Sequence, residues 1–293
     1  MLTKPWLKFL GGSSLPPRWF FAAVLPESER QAKTGRLHVE IVSHCWQYSR
    51  LLAYQLDSLV RHPPAGTDVT MTVFYSTEDA KTVELLELAG SHSPANVRWN
   101  WQALPKEKLF RRSIGRNQAA LATTADWVWF TDCDMTFQEG CLDSLSAALQ
   151  GRTDALVYPR LERRTMVHTD TDLVSNNSLD EVQLLQAPTD LFKDYHITRA
   201  TGPLQVTHGD VARHNGYCND VSLYQRPAAT FQKATEDRFF RYLMGTQGTP
   251  IHVEGAYRIQ HVEKGRYDGE TFGTRVRKAV RRVQYAWRNR SRS

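Results

Sequence analysis

Between residues 38 and 158 the sequence alternates between two hydrophobic rhythms, and that alternation limits the fold more than any other feature. The runs HVEIVSH (38–44), VTMTVFY (69–75), 97–101, 127–131 and 155–158 are rich in β-branched and aromatic residues. Between them apolar residues fall at helical spacing. Leu51, Leu52, Tyr54, Leu56, Leu59 and Val60 mark 49–61, and Val83, Leu85, Leu86 and Leu88 mark 77–89, with Ser76 as the expected cap. Helices over 111–124 and 139–150 complete the series, the last closed by Gly151. Strands alternating with helices of about 10–15 residues are βαβ units. The expectation is an α/β, Rossmann-like domain with a mixed, mostly parallel central sheet flanked by helices. Residues 160–200 are less regular. A strand over 202–206, a short helix, an acid-led helix over 235–244 and a strand over 251–261 are expected after them.

The strand over 127–131 runs straight into Asp132-Cys133-Asp134. Residues i and i+2 of an extended chain share a side. Both carboxylates therefore lie at the C-terminal edge of the sheet, where open α/β folds bind ligands. At that spacing they repel each other unless a cation sits between them, which suits Mg²⁺ or Mn²⁺ held against a diphosphate. The competing reading is a solvated pair capping the next helix.

With 293 residues the chain can bury a full core. Its four scattered cysteines (Cys45, Cys133, Cys141, Cys218) form no C-x-x-C pair, which argues against a zinc ribbon or a disulfide framework and suits a reducing compartment. No apolar run approaches the ~20 residues of a membrane span. The net charge of +6 belongs to one end: residues 271–293 hold eight Lys/Arg and no acid, which leaves −2 over the first 270 residues. The body is therefore not a nucleic-acid-binding surface by composition, and no nucleic-acid partner is expected. Residues 275–290 place Val276, Val280, Val283 and Trp287 on one face of a cationic helix, suited to an anionic membrane surface or else a solvated basic tail. Residues 1–36 read as an irregular leader broken by Pro5, Gly11-Gly12 and Pro16-Pro17. Its apolar run WFFAAVL (19–25) is expected as a helix on the body or on a membrane surface rather than as a signal peptide.

Three more pieces stand in order around the acidic pair: Gly115-Arg116-Asn117-Gln118-Ala119 before it, Gly202-Pro203-Leu204-Gln205 leading to Asn215-Gly216-Tyr217 after it, and Thr235-Glu236-Asp237 with a later His261. Together they resemble the family-2-like glycosyltransferases of the GT-A fold, over about residues 38–265. The resemblance implies a GT-A domain at 37–268, with a nucleotide-binding half (37–135) and an acceptor half (136–268), between the leader and a basic tail at 269–293. It implies metal-dependent, inverting transfer from a nucleotide-sugar donor to a hydroxyl of a glycan or lipid-linked acceptor, in surface polysaccharide or glycoconjugate synthesis. The expected location is the cytoplasm, peripheral to the inner face of the membrane. Asp132, Asp134 and His261 would hold Mn²⁺ or Mg²⁺, with His252 as the rival of His261. Asp237 would be the base and Glu236 would orient the acceptor or the base. Arg116, Asn117, Asp132, Gly202 and Gln205 would meet the donor or brace its loops.

The chain also departs from the family pattern. The usual P-T-Y-N-R loop reads SHCWQYSR (43–50), which makes Ser43, His44 and Arg50 the donor-side candidates. The base-reading acid is missing or displaced to Asp79, and Pro203 replaces a glycine of the donor loop. Arg111 and Arg112 would steer an anionic donor or form a solvated helix face. Two other readings compete. Asp132-Cys133-Asp134-Met135-Thr136 matches the D-x-D-x-T of haloacid-dehalogenase-like phosphatases, with Asp132 as nucleophile, although that strand normally comes first in its domain. The other is a GT-A-like domain that binds without turnover.

Overall fold

The structure is a computed structural model that describes residues 4–13, 15–166, 181–230 and 235–261. The basic segment 275–290 lies outside them. After a short helix, α1 (Lys4–Leu10), three strand–helix units open the body. They are β1 (His38–His44) with α2 (Ser49–Arg61), β2 (Asp68–Tyr75) with α3 (Ala80–Gly90), and β3 (Val97–Ala103) with α4 (Lys106–Leu109) and α5 (Arg112–Ala122). The fourth strand is β4 (Trp127–Phe130), and all four of its residues are buried. β1, β2 and β4 are covered on both faces, which is why they read as near-continuous apolar runs.

The second half supplies β5 (Met135–Phe137), α6 (Cys141–Leu149), β6 (Leu156–Pro159), β7 (Leu161–Thr165), β8 (Phe192–His196), β9 (Gln205–His208), α7 (Gly209–Asn215), α8 (Glu236–Leu243), β10 (Thr249–Ile251) and β11 (Ala256–Arg258). The central sheet has seven strands in the order β10-β6-β9-β4-β1-β2-β3. β9 alone runs antiparallel, between β4 and β6, so the sheet is mixed and mostly parallel as expected. A second sheet of four strands has the order β5-β11-β7-β8.

Two pairings position the acidic residues. Val42 of β1 stands opposite Phe130 of β4, and Thr131 N donates to Val42 O at 3.0 Å, so Asp132 leaves the sheet at its C-terminal edge. Three residues later β5 begins and pairs antiparallel with β11, Met135 opposite Arg258. Ile259 N then donates to Asp134 O at 2.8 Å, which ties the far end of the chain to the acidic loop.

Several elements differ from the sequence reading. α3 starts at Ala80 and is capped by Asp79, whose carboxylate accepts from Thr82 N; Ser76 instead accepts the Asp79 N–H through its carbonyl in the preceding turn. The central-sheet strand after the irregular region starts at Gln205 and continues to His208, because it is clamped between β4 and β6. The region 160–200 contains β7 and β8, whose sequences LERRT and FKDYH carry too few apolar residues to announce a strand. The expected strand over 251–261 is two short ones, broken where Gly255 adopts φ 71°. WFFAAVL is not a helix: a 3₁₀ turn at Pro17–Trp19 leads into extended chain, and Ala22 N and Leu25 N donate to Asp220 and Asn215 side chains instead of to a helical ladder. Among the described residues no helix is long and apolar enough to cross a membrane.

Candidate active site

Arg112 and Arg116 lie one turn apart on α5 and so project from the same face. Both reach Asp132: Arg112 Nη1 ion-pairs with Oδ1, and Arg116 Nη2 lies 3.2 Å from the same atom. Arg116 is fully buried. It also donates to Thr131 O at 3.0 Å, Gly202 O at 3.2 Å and Tyr217 Oη at 2.9 Å. It therefore pins the acidic loop to the loop at residue 202 and has no surface left to offer a donor. Asn117 is a brace of the same kind, accepting from Tyr217 N at 2.8 Å and donating to Asn219 at 3.0 Å. Gln205, also fully buried, accepts from Tyr217 Oη at 2.8 Å and donates to Asp237 O at 3.0 Å, which fixes the first turn of α8. These three frame the acidic loop and the start of α8.

Arg112 is the residue that the sequence reading undervalued. Beyond Asp132, its Nε lies 3.7 Å from Glu236 Oε1. The Glu236 side chain is 2% exposed, and neither carboxylate oxygen has a hydrogen-bond partner among the described residues. Burial works against the charge on Arg112, but Asp132 and then Glu236 outweigh it and raise its pKa above the ordinary value. Glu236 thus faces inward to an arginine. The available signal for Arg112 was its i, i+4 spacing from Arg116.

Asp134 has a different environment. Oδ2 is 3.2 Å from Arg258 Nε and 3.9 Å from His261 Nε2, while buried Oδ1 has no hydrogen-bond partner among the described residues. The His261 ring also stands edge-on to Tyr48, with centroids 5.3 Å apart. The rival, His252, is 54% exposed beside Glu254 and takes no part. Among the described residues no three His, Cys, Asp or Glu side chains converge as a metal site, and Asp132 is turned to two arginines. An unpartnered carboxylate oxygen beside an imidazole is still a donor set that Mn²⁺ or Mg²⁺ accepts.

On the donor side, Ser43 is fully buried, with its hydroxyl unpartnered among the described residues, and Arg50 is 8% exposed. His44 stacks on Phe74 at 5.1 Å under Gly115, and burial, then the charges of Arg116 and Arg112, hold its pKa well below the imidazole range. Asp79 is engaged within the protein. It caps α3, accepts from Thr82 Oγ1 at 2.7 Å and holds Gln47 N at 2.6 Å, in a loop where Gln47 has φ 57°. At the other end of the site Asp237 keeps 35% of its side chain exposed, with Arg241 Nη1 3.9 Å away. A Cβ on Gly202 would stand 3.7 Å from the Asp237 carboxylate, so the glycine borders this acid directly. As for the phosphatase reading, the Asp132 carboxylate just beyond the fourth strand is neutralised by two arginines, which weakens it as a nucleophile.

Residues 77–213 match the family model described as Glycosyl transferase family 2. The matched stretch runs from the turn before α3 to α7 and so includes the acidic loop and its arginine frame. No curated protein matches the chain. Among solved structures, the chain is similar to the mannosyltransferase PcManGT of Pyrobaculum calidifontis in complex with GDP-Man and Mn²⁺, at 17% identity and TM-score 0.46, covering 94% of this chain and 69% of that one. It is also similar to S. aureus TarS, at 13% identity and TM-score 0.44 for the UDP complex, covering 76% of this chain and 60% of that one. The TarS complex with UDP-GlcNAc matches at 12% and 0.43, covering 80% and 60%.

Proposed function

We propose that this chain is a glycosyltransferase that moves a sugar, with inversion, from a nucleotide-sugar donor to a hydroxyl of a glycan or lipid-linked acceptor. The observation that carries the reading is the arginine bridge: Arg112 joins Asp132 of the acidic loop to Glu236 of the acid-led helix. One guanidinium thus holds the donor-side loop and the acceptor-side helix in a single unit.

Within that unit each residue has a task. Asp134 and His261 would hold a divalent cation, which supplies charge neutralisation for the leaving diphosphate. Asp237, the exposed acid of the pair, accepts the proton of the attacking hydroxyl. Arg241 lies on the side of the Asp237 carboxylate and, by donating to Ala200 O at 2.7 Å, keeps the start of α8 against the donor loop. One base and one displacement give inversion, and no second catalytic carboxylate is required because Glu236 is committed to Arg112. The supporting experiment is a thermal-shift panel of nucleotide-sugars with and without Mn²⁺, followed by product anomer analysis by NMR. A native-state ligand must raise stability. No metal-dependent response to any nucleotide-sugar, or a retained anomer, overturns the reading.

A further inference from the structure

The segment before residue 26 is strapped to the body yet turns large aromatic side chains outward. α1 buries Leu7 and Leu10, each 1% exposed. Gly11 closes on α8 so tightly that a Cβ there would meet the Phe239 ring at 3.2 Å, and Arg238 donates to Gly11 O at 2.9 Å. Phe21 packs edge-on against Phe239 and Tyr242, at 5.5 and 6.4 Å between centroids. Asn215 grips the end of the segment, accepting from Leu25 N at 3.1 Å and donating to Ala23 O at 2.9 Å. The leader is therefore a fixed layer on the helix whose first turn carries Asp237.

The outer side of that layer has the opposite character. Trp6, Phe9, Trp19 and Phe20 are 56, 57, 64 and 49% exposed. They are four of the seven exposed large hydrophobics among the described residues, so this exposure is concentrated in one short stretch. Trp6 and Phe9 meet edge to face at 5.7 Å and shield each other rather than the core. The same stretch carries Lys4, Lys8 and Arg18, and no Asp or Glu occurs before Glu27. Aromatic rings with cations and no acids suit the headgroup layer of a bilayer, where indole and phenyl rings sit at the interface and cations meet lipid phosphate. The absence of acids gives the layer a charge complementary to anionic lipid.

We propose that this aromatic, cationic layer docks the chain on an anionic lipid surface, so that α8 meets an acceptor held at that surface. The docking stands on the leader alone; its extension to a membrane-held acceptor rests on the transfer reading above.

The test uses the full chain and vesicles of phosphatidylcholine with one-third phosphatidylglycerol. The wild-type chain is expected to co-sediment, and W6S/F9S/W19S/F20S to bind about tenfold more weakly or worse, with unchanged melting temperature and donor-induced shift. Equal binding by the variant, or no binding by the wild type, overturns the proposal. A second measurement guards against a misfolded quadruple variant. Lipids brominated in the acyl chain should quench wild-type tryptophan emission, and W6F/W19F should remove most of that quenching while still binding. Quenching that persists overturns the proposal. So does a wild-type dimer that the quadruple variant converts to monomer, since the layer would then be a contact between copies. Vesicle binding needs no donor. Intact docking without any donor response would therefore sink the transfer reading alone, and the converse result would sink the docking alone.

Discussion

Arg112 Nε lies 3.7 Å from Glu236 Oε1, and the opposite end of the same guanidinium holds Asp132. Glu236 is buried and has no hydrogen bond among the described residues, so this contact is its compensation. Arg112→Met should therefore cost about 3–5 kcal/mol, the usual penalty for stranding a buried charge. Glu236→Gln added to Arg112→Met should recover a large part of it. Urea unfolding of the two single variants and the double variant measures the coupling. Additive single effects would show that the two residues do not interact.

Asp237→Asn removes the proposed proton acceptor while leaving the backbone carbonyl that Gln205 holds. Transfer should fall ~10²–10⁴-fold, the usual contribution of a positioned base, with donor affinity by calorimetry unchanged. Glu236→Gln should behave differently, with a loss of stability accompanying any loss of rate.

Asp134→Ala should abolish the Mn²⁺-dependent part of the donor-induced thermal shift, and His261→Ala should weaken it. His252→Ala should leave it unchanged, because that ring is exposed beside Glu254. At a concentration of about 100 Kd the wild-type shift corresponds to about 2.7 kcal/mol, enough for the difference to be read directly. Equal losses from the two histidine variants would contradict the geometry.

Gly115 lets α5 approach the end of β1. A Cβ there would fall 2.4 Å from His44 Nε2 and 2.8 Å from the Phe74 ring. Gly115→Ala should cost about 1–3 kcal/mol by overpacking. Its crowding of His44 should also weaken donor binding, as calorimetry on the folded fraction would show.

His44 is buried with a pKa below its ordinary 6.5. As pH drops below 6.5 the unfolded chain takes up a proton that the native chain refuses, so native stability falls with falling pH and is regained as pH rises. The slope from this one residue is at most about 1.4 kcal/mol per pH unit. His38 and His208 are shifted downward by burial too and add in the same direction. His44→Leu should flatten the fall in urea midpoint between pH 7 and pH 5.5. An unchanged slope would mean that His44 does not titrate differently in the two states.

Much of this architecture is local and therefore legible in the chain. The hydrophobic rhythm sets the strand–helix units, since a buried parallel strand and an amphipathic helix each need their own periodicity. The strand running into Asp132 puts both acids at a sheet edge for the same reason. The capping role of Asp79 was not legible because a helix cap and a ligand-binding acid have the same side chain; the Thr82 and Gln47 partners reveal the cap. β7 and β8 were missed because LERRT and FKDYH hold few apolar residues; β8 is an edge strand of the small second sheet, and β7 lies between it and β11.

The sequence by itself determined the fold class, the acidic pair at the end of the fourth strand, and the order of motifs around it. Tertiary structure alone decided which acid does what. Asp132 is neutralised because α5 packs with Arg112 and Arg116 facing it; Asp134 meets Arg258, 124 residues away, because β5 pairs with β11. Glu236 turns inward and Asp237 outward because the buried arginine lies on only one side of the start of α8. Charge compensation is a contact of a few ångströms between distant segments, and no one-dimensional pattern carries the strand register and helix packing that create it.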